Sequence, residues 1–131
     1  MNSTYFGSIH GIGNLKIETI FYYMDEPILF TALDKHHTRY LCSCAKLGTD
    51  YLITKATNRA LIQLMKNEIT IRNVFQNHDA MAITWDGNQV IIHPSIPQDY
   101  YPEENAFLDM MGNEAVKAYG NTLKSETGDI A

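Results

Sequence analysis

The sequence predicts an α+β domain: an antiparallel β-meander sheet with two short central helices, a second β-hairpin and a C-terminal helix. Three observations predict this fold. Apolar and polar residues alternate from Leu15 to about Cys44, as in half-buried strands. Near Thr57 the apolar spacing changes to that of a helix. The turn Asp86-Gly87-Asn88 separates two further apolar runs, as in a hairpin.

The strands of the first half are separated by short polar turns. Such turns favour hairpins over crossovers, because antiparallel neighbours need only a few connecting residues. β-Branched and aromatic residues fill the runs between the turns. We expect strands over about Leu15–Met24, Ile28–Leu33, Thr38–Ala45 and Tyr51–Thr54.

Two central helices are predicted from their caps and their apolar spacing. Thr57 can accept a hydrogen bond from a first-turn N–H, so a helix should run from there to Lys66. Thr70 can cap a shorter helix in the same way. The positions that share one apolar face are Leu61, Leu64 and Met65 in the first helix and Ile71, Val74 and Phe75 in the second.

The last third should be irregular and then helical. Prolines at 94, 97 and 102 oppose regular structure, and Glu103-Glu104 suits a helix N-terminus. The C-terminal helix should carry an apolar stripe that either covers the sheet or forms a homo-oligomer contact. The stripe is Leu108, Met111, Ala115, Tyr119 and Leu123.

A chain of 131 residues suits one domain with its own core. We expect a flexible, glycine-containing lead-in at 1–14, a single α+β domain at 15–111, and the C-terminal helix with a frayed tail at 112–131. No apolar run approaches the roughly 20 residues that span a bilayer, and no basic leader precedes one, so we expect a cytoplasmic protein.

Charge is distributed unevenly along the chain. From Asp99 onward seven acidic residues stand against two lysines, an excess equal to the whole net charge of −5. Such a chain does not attract nucleic-acid phosphates in general. Cys42 and Cys44 stand two apart on one strand face, a poor geometry for a disulfide, and are predicted to be free thiols.

The middle of the chain resembles a family of small, uncharacterised bacterial and phage-associated domains of unknown function. The likeness covers roughly 15–75, with a weaker echo at 101–108. Asn67 stands where that pattern usually has glycine. The resemblance implies the order of elements and no chemistry. The matching residues are Tyr23, Asp25, Pro27, Leu29, Phe30, Tyr40, Leu41, Tyr51, Leu52, Thr57, Leu61, Leu64, Ile69, Ile71, Arg72 and Phe75.

The proline-held loop at 98–105 combines aromatic and acidic residues. Tyrosines supply contact area at a small entropy cost, and carboxylates select a basic surface. The loop is therefore either a protein-binding segment or a linker that ties the last helix to the sheet. The candidate partner-binding residues are Tyr100, Tyr101, Glu103 and Glu104.

An alternative site would hold a small anionic ligand, such as a nucleotide signal. Guanidinium groups fork onto phosphate oxygens, and an aromatic ring can stack on a base. The competing interpretation is ordinary surface ion pairs and a core-packed Trp85. The candidate residues are Arg39, Arg59, Arg72, Tyr40 and Trp85.

Evidence for catalysis is weak. His36-His37 with Cys42 and Cys44 could supply zinc ligands, but the second half of a zinc motif is missing, and no cofactor is expected. The glycines at 7, 11 and 13 precede a strand, whereas a phosphate loop opens a helix. The sequence thus favours a non-enzymatic protein that occupies a protein partner, as immunity or anti-defence inhibitors do. Nucleotide sequestration is the second hypothesis and a zinc-dependent enzyme the third.

Overall fold

The computed structural model describes residues 6–46, 49–76, 79–109 and 113–127. Six strands and three helices form the α+β fold that the sequence predicts. The strands are β1 (Lys16–Tyr23), β2 (Pro27–Leu33), β3 (Arg39–Lys46), β4 (Asp50–Lys55), β5 (Ala80–Trp85) and β6 (Val90–Ile92). The helices are α1 (Asn58–Met65), α2 (Ile71–Gln76) and α3 (Glu114–Thr127), and a 3-10 turn spans Gln98–Tyr100.

All six strands join one antiparallel sheet in sequence order, with β1 and β6 at its edges. The predicted second hairpin is therefore the far edge of the same sheet, since β5 pairs with β4. The Asp86 carboxylate accepts hydrogen bonds from the backbone N–H groups of Asn88 and Gln89, at 2.8 and 2.9 Å. Gly87 has a positive φ of 95°, which explains why this turn needs glycine.

The helices cover one face of the sheet and bury most of the core there. The Thr57 hydroxyl accepts a hydrogen bond from the Ala60 N–H at 3.1 Å, as its predicted role as the α1 cap requires. Thr70 accepts from the Asn73 N–H at 3.2 Å and so caps α2. The predicted apolar positions of both helices are buried: Leu61, Leu64, Met65, Ile71, Val74 and Phe75.

The N-terminal segment covers the opposite face of the sheet, where a second apolar cluster lies. Phe6 and Ile9 are 2% and 1% exposed, and the Phe6 ring meets Tyr51 edge-on at 4.9 Å between centroids. The prediction of a flexible lead-in at 1–14 is therefore wrong for residues 6–14, and residues 1–5 lie outside the described part. The segment is not recognisable in the sequence, because three glycines interrupt it and its apolar residues have neither strand nor helix spacing.

The C-terminal helix begins later than predicted, at Glu114 rather than near Glu103. Asn113 caps it by accepting a hydrogen bond from the Val116 N–H at 3.2 Å. The preceding segment serves α2 instead: the Ala106 carbonyl accepts from the Ile71 N–H at 2.9 Å. Leu108 is buried without being helical, and Met111 and the Ala115 side chain lie outside the described part.

The apolar face of α3 packs on the molecule's own core. Val116, Tyr119 and Leu123 are buried, and the Tyr119 ring meets Phe21 of β1 at 5.9 Å between centroids. Of the two roles considered for this stripe, covering the sheet is the one that the structure shows. Within the described ranges, no helix combines the length and the apolar character needed to cross a membrane.

Candidate functional site

The five residues of the predicted anion pocket do not come together. Arg39 lies under α3 and Tyr40 packs with the opposite face of the sheet, because neighbours on a strand point to opposite faces. Trp85 packs on the N-terminal segment, where a Cβ on Gly7 would lie 2.8 Å from its ring. Arg59 is exposed on α1. The structure therefore assembles no nucleotide pocket from these side chains.

Arg39 forms a buried ion pair instead. Its guanidinium contacts both carboxylate oxygens of Glu18, with Nε to Oε1 at 2.7 Å and Nη2 to Oε2 at 2.6 Å. Its Nη1 donates to Asn58 Oδ1 at 2.8 Å. Glu18 also accepts from the Tyr119 hydroxyl at 2.7 Å and from Thr31 Oγ1 at 2.9 Å. This network joins β1, β2, β3, α1 and α3.

The electrostatics of the network favour an ionised Glu18. Burial opposes its ionisation, but the hydrogen bonds from Arg39, Tyr119 and Thr31 outweigh burial and lower its pKa. Burial raises the pKa of Tyr119, and Glu18 raises it further. Every charged group of the network is thus matched inside the fold, so its role is to hold α3 on the sheet.

Arg72 fixes the loop that was predicted to bind a partner. It donates to the Pro102 carbonyl at 3.2 Å and to Gln98 Oε1 at 3.4 Å. Its guanidinium carbon lies 5.3 Å from the centre of the Tyr101 ring, in a cation–π arrangement. Tyr101 is therefore half-buried against a structural arginine.

Tyr100 is buried, so it cannot offer its ring to a partner as predicted. Its hydroxyl donates to the Asp50 carboxylate at the start of β4. His93 Nε2 lies 3.4 Å from that hydroxyl and 2.8 Å from Thr84 Oγ1, and Lys46 lies over the Tyr100 ring. This polar cluster pins the 3-10 turn to the sheet.

The ionisation of the polar cluster follows from its contacts. Burial raises the pKa of Tyr100 to about 12, and the adjacent Asp50 carboxylate acts in the same direction. Burial opposes ionisation of Asp50, but hydrogen bonds from Thr49 and Tyr100 and the nearby Lys46 charge lower its pKa overall. The Asp50 carboxylate therefore stays ionised and accepts a hydrogen bond from the Tyr100 hydroxyl.

Tyr100 should make stability fall at alkaline pH. Unfolded tyrosine ionises near pH 10, whereas folded Tyr100 ionises near 12, so its contribution is present below pH 10 and is lost between these values. Tyr100→Phe should make the alkaline fall in unfolding free energy shallower, measured by urea denaturation at several pH values between 9 and 12. An unchanged slope in the variant would contradict the assignment.

The four residues that were considered as zinc ligands are also separate. Cys42 is buried, and burial alone raises the pKa of its thiol, while Cys44 is half-buried with its Sγ 3.9 Å from Glu26 Oε1. Cys42 and Cys44 are not joined in a disulfide, as predicted. His36 and His37 lie in the β2–β3 turn, where His37 has a positive φ. Over the ranges that the structure describes, no three histidine, cysteine or acidic residues are placed to hold a metal.

Exposed apolar side chains stand at the end of β1 and on the loop at 103–109. Tyr23 and Met24 are 66% and 64% exposed, and Tyr22 and Phe107 are partly exposed. The Tyr22 hydroxyl donates to the Leu108 carbonyl, which joins the strand end to the loop. We call the four residues Tyr22, Tyr23, Met24 and Phe107 the corner surface.

Carboxylates accompany the corner surface. Asp109 is close enough to Tyr22 to raise the pKa of its hydroxyl further, after burial. Asp25 follows Met24 directly, and both aspartates have positive φ values, of 61° and 53°, which fix the two turns. Glu103 and Glu104 are exposed on the same loop as Phe107. The corner surface can therefore present apolar contact area beside negative charge.

The acidic and aromatic residues of the loop are visible in the sequence, whereas the exposed apolar residues at the end of β1 are not predicted as a site. The sequence assigns Tyr22, Tyr23 and Met24 to a strand. Alternation of apolar and polar residues does not show where the rest of the fold stops covering an edge strand. A signal was present: three large apolar residues in a row do not alternate. No family model, no curated protein and no solved structure matches the chain significantly. The resemblance noted in the sequence therefore stays a prediction.

Proposed function

We propose that this protein acts by stoichiometric binding to a protein partner with a basic surface, through the corner surface. The observation that carries the proposal is the exposure of Tyr23 and Met24 at a strand end that the Tyr22–Leu108 hydrogen bond joins to the loop with Phe107 and the carboxylates. Contiguous exposed apolar side chains rimmed by charge mark interaction sites. The acidic C-terminal third supplies the charge that would select a basic partner.

The chemistry of the corner surface suits protein recognition. Tyrosine, phenylalanine and methionine are enriched in interfaces, and aromatic side chains lose little conformational entropy on binding. The backbone N–H of Asp109 donates to Asn67 Oδ1 at 3.0 Å, which ties the loop to the segment after α1. The Tyr22 hydroxyl holds strand and loop together before any partner arrives. A preformed surface of this kind reduces the ordering cost of binding.

The strongly hydrogen-bonded polar groups of the interior are used within the fold and are not part of the proposed surface. Arg39, Glu18 and Tyr119 bind one another, and Tyr100 binds Asp50, so these groups stabilise the fold. A protein that holds its partner without turnover acts as a stoichiometric inhibitor. Immunity and anti-defence proteins of bacteria and phages are the functional class that we propose.

The test compares the corner surface with a matched apolar site at the opposite edge of the sheet. Wild-type protein captures a partner from a lysate of the source cells, and the partner is identified and purified. Tyr23→Ser/Met24→Ser should weaken its affinity by about 100-fold, as expected for interface hot spots. Ile91→Ser, at a residue 48% exposed on β6, should leave the affinity unchanged.

Two results of this experiment would refute the proposal. One is equal affinity of wild type and the corner variant, measured by isothermal titration calorimetry. The other is a larger loss in the Ile91 variant than in the corner variant. Both variants change exposed side chains, so thermal unfolding should confirm that each is folded.

A further inference from the structure

A groove between α1 and α3 combines an apolar floor with a basic rim. It encloses about 290 Å³, close to the lower limit of roughly 300 Å³ for ligand pockets. Its floor contains Ile62, Met65 and Val116, which are each between 6% and 8% exposed. Gly120 deepens it, because a Cβ there would lie 3.8 Å from Met65 Cε, in ordinary contact.

Three lysines line this groove: Lys66 at the end of α1, and Lys117 and Lys124 on α3. The chain has a net charge of −5, so this concentration of positive charge is local. Lys117 and Lys124 are seven residues apart, two helical turns or about 10 Å along the axis. Lys117 also lies 4.0 Å from Glu114, an exposed pair that contributes little.

The spacing of the charges defines the ligand class. A simple fatty acid has one carboxylate, which would use one lysine and leave the others unmatched. Duplex nucleic acid would present phosphates to the lysines, but its bases stay stacked inside the helix and offer no apolar side chain to the floor. A peptide segment with carboxylates about two helical turns apart and an apolar side chain between them matches both the rim and the floor.

We infer that the groove between α1 and α3 docks a short acidic, amphipathic peptide segment of a protein partner. The apolar side chains of the segment enter the groove against Ile62, Met65 and Val116, and its carboxylates face the three lysines. This site has the opposite charge to the corner surface and uses other elements. It therefore stands or fails independently of the proposed function.

The test uses a labelled peptide of about 20 residues, above the length of about 12–15 residues below which an isolated helix is marginal. Its leucines are at helical spacing and glutamates flank them; the control peptide has lysine at every glutamate. Fluorescence anisotropy measures binding to the full chain. Wild type should bind the acidic peptide and not the basic one, with an affinity that falls as salt screens the lysines.

Two protein variants locate the binding site. Lys66→Gln/Lys117→Gln/Lys124→Gln should weaken peptide binding by about tenfold. Lys16→Gln/Lys35→Gln/Lys55→Gln changes the net charge equally at exposed lysines outside the groove and should have little effect. Gly120→Leu fills the groove from α3 and should abolish peptide binding. Thermal unfolding checks that this variant is folded.

Several results would overturn the inference. Undetectable peptide binding, or equal loss in the two triple-lysine variants, would show that the groove does not select this ligand. Full displacement of the peptide by dodecanoate would assign the groove to a single-carboxylate amphiphile instead. Light scattering could instead show a molecular mass that rises with protein concentration. If Lys66→Gln/Lys117→Gln/Lys124→Gln abolishes this rise and the control lysine variant does not, the groove binds a second copy of this chain.

Discussion

Phe6→Ala should lower the free energy of unfolding by about 3–5 kcal/mol, as large-to-small changes of buried phenylalanine do. Phe6 is 2% exposed and contacts the rings of Tyr51 and Phe30, at 4.9 and 6.2 Å between centroids. The substitution leaves a cavity under the N-terminal segment, on the face of the sheet opposite α1, α2 and α3. Urea denaturation measures the change.

The control for Phe6 is its own segment. Ser8→Ala changes an exposed residue two positions away and should alter stability by no more than about 0.5 kcal/mol. If the segment were a loose lead-in, both substitutions would have the same small effect. A small loss for Phe6→Ala would therefore restore the original sequence prediction.

Arg39→Met should destabilise the fold by about 3 kcal/mol, near the lower limit for breaking a buried ion pair. Arg39 is 7% exposed and Glu18 17%, so removal of the guanidinium leaves a carboxylate largely shielded from water. The control Arg59→Met, at an exposed position of α1, should change stability by no more than about 0.5 kcal/mol.

The effect of Arg39→Met should also depend on pH. The pKa of Glu18 is lowered in the fold, so its contribution to stability is present above its ordinary pKa of 4.5 and is lost as pH falls below that value. Wild type and variant should therefore converge in stability in acid, where Glu18 is protonated. The double variant Glu18→Gln/Arg39→Met should be more stable than Arg39→Met at pH 7, because no unpaired charge remains. A constant difference across pH would contradict the account.

Local signals were sufficient to predict most of the fold. Thr57 and Thr70 cap helices where their spacing indicates, and Asp86-Gly87-Asn88 forms its hairpin, because a few neighbouring residues decide each feature. The start of α3 depends on a competition that local spacing does not show. In the described residues up to 109, the Ala106 carbonyl accepts a hydrogen bond from the Ile71 N–H of α2 and Leu108 is buried, and both contacts are made outside a helix.

The candidate site could be predicted only in part, because its residues come from distant parts of the chain. Acids and aromatics in the loop were visible, but Tyr100 and Tyr101 were offered as contact residues and are held by Asp50 and Arg72. The contact area proposed in their place comes from Tyr23 and Met24, more than 70 positions earlier. Only the tertiary structure shows which tyrosines remain exposed.

The two proposed surfaces carry charges of opposite sign. The corner surface combines apolar residues with carboxylates, and the α1–α3 groove combines apolar residues with lysines. Salt should weaken binding at both, since each relies on exposed charge. Their variants share no residue, so binding at one can be removed while the other is kept.

Site-specific photocrosslinking in the source cells tests the central claim most directly. A benzophenone amino acid replaces Tyr23 in one protein and Ile91 in another, at edges of the sheet about 24 Å apart by strand spacing. The corner surface predicts one crosslinked protein, in a one-to-one adduct, from the Tyr23 position and none from Ile91. Crosslinking to the same protein from Ile91 alone, or from neither position, would contradict the account.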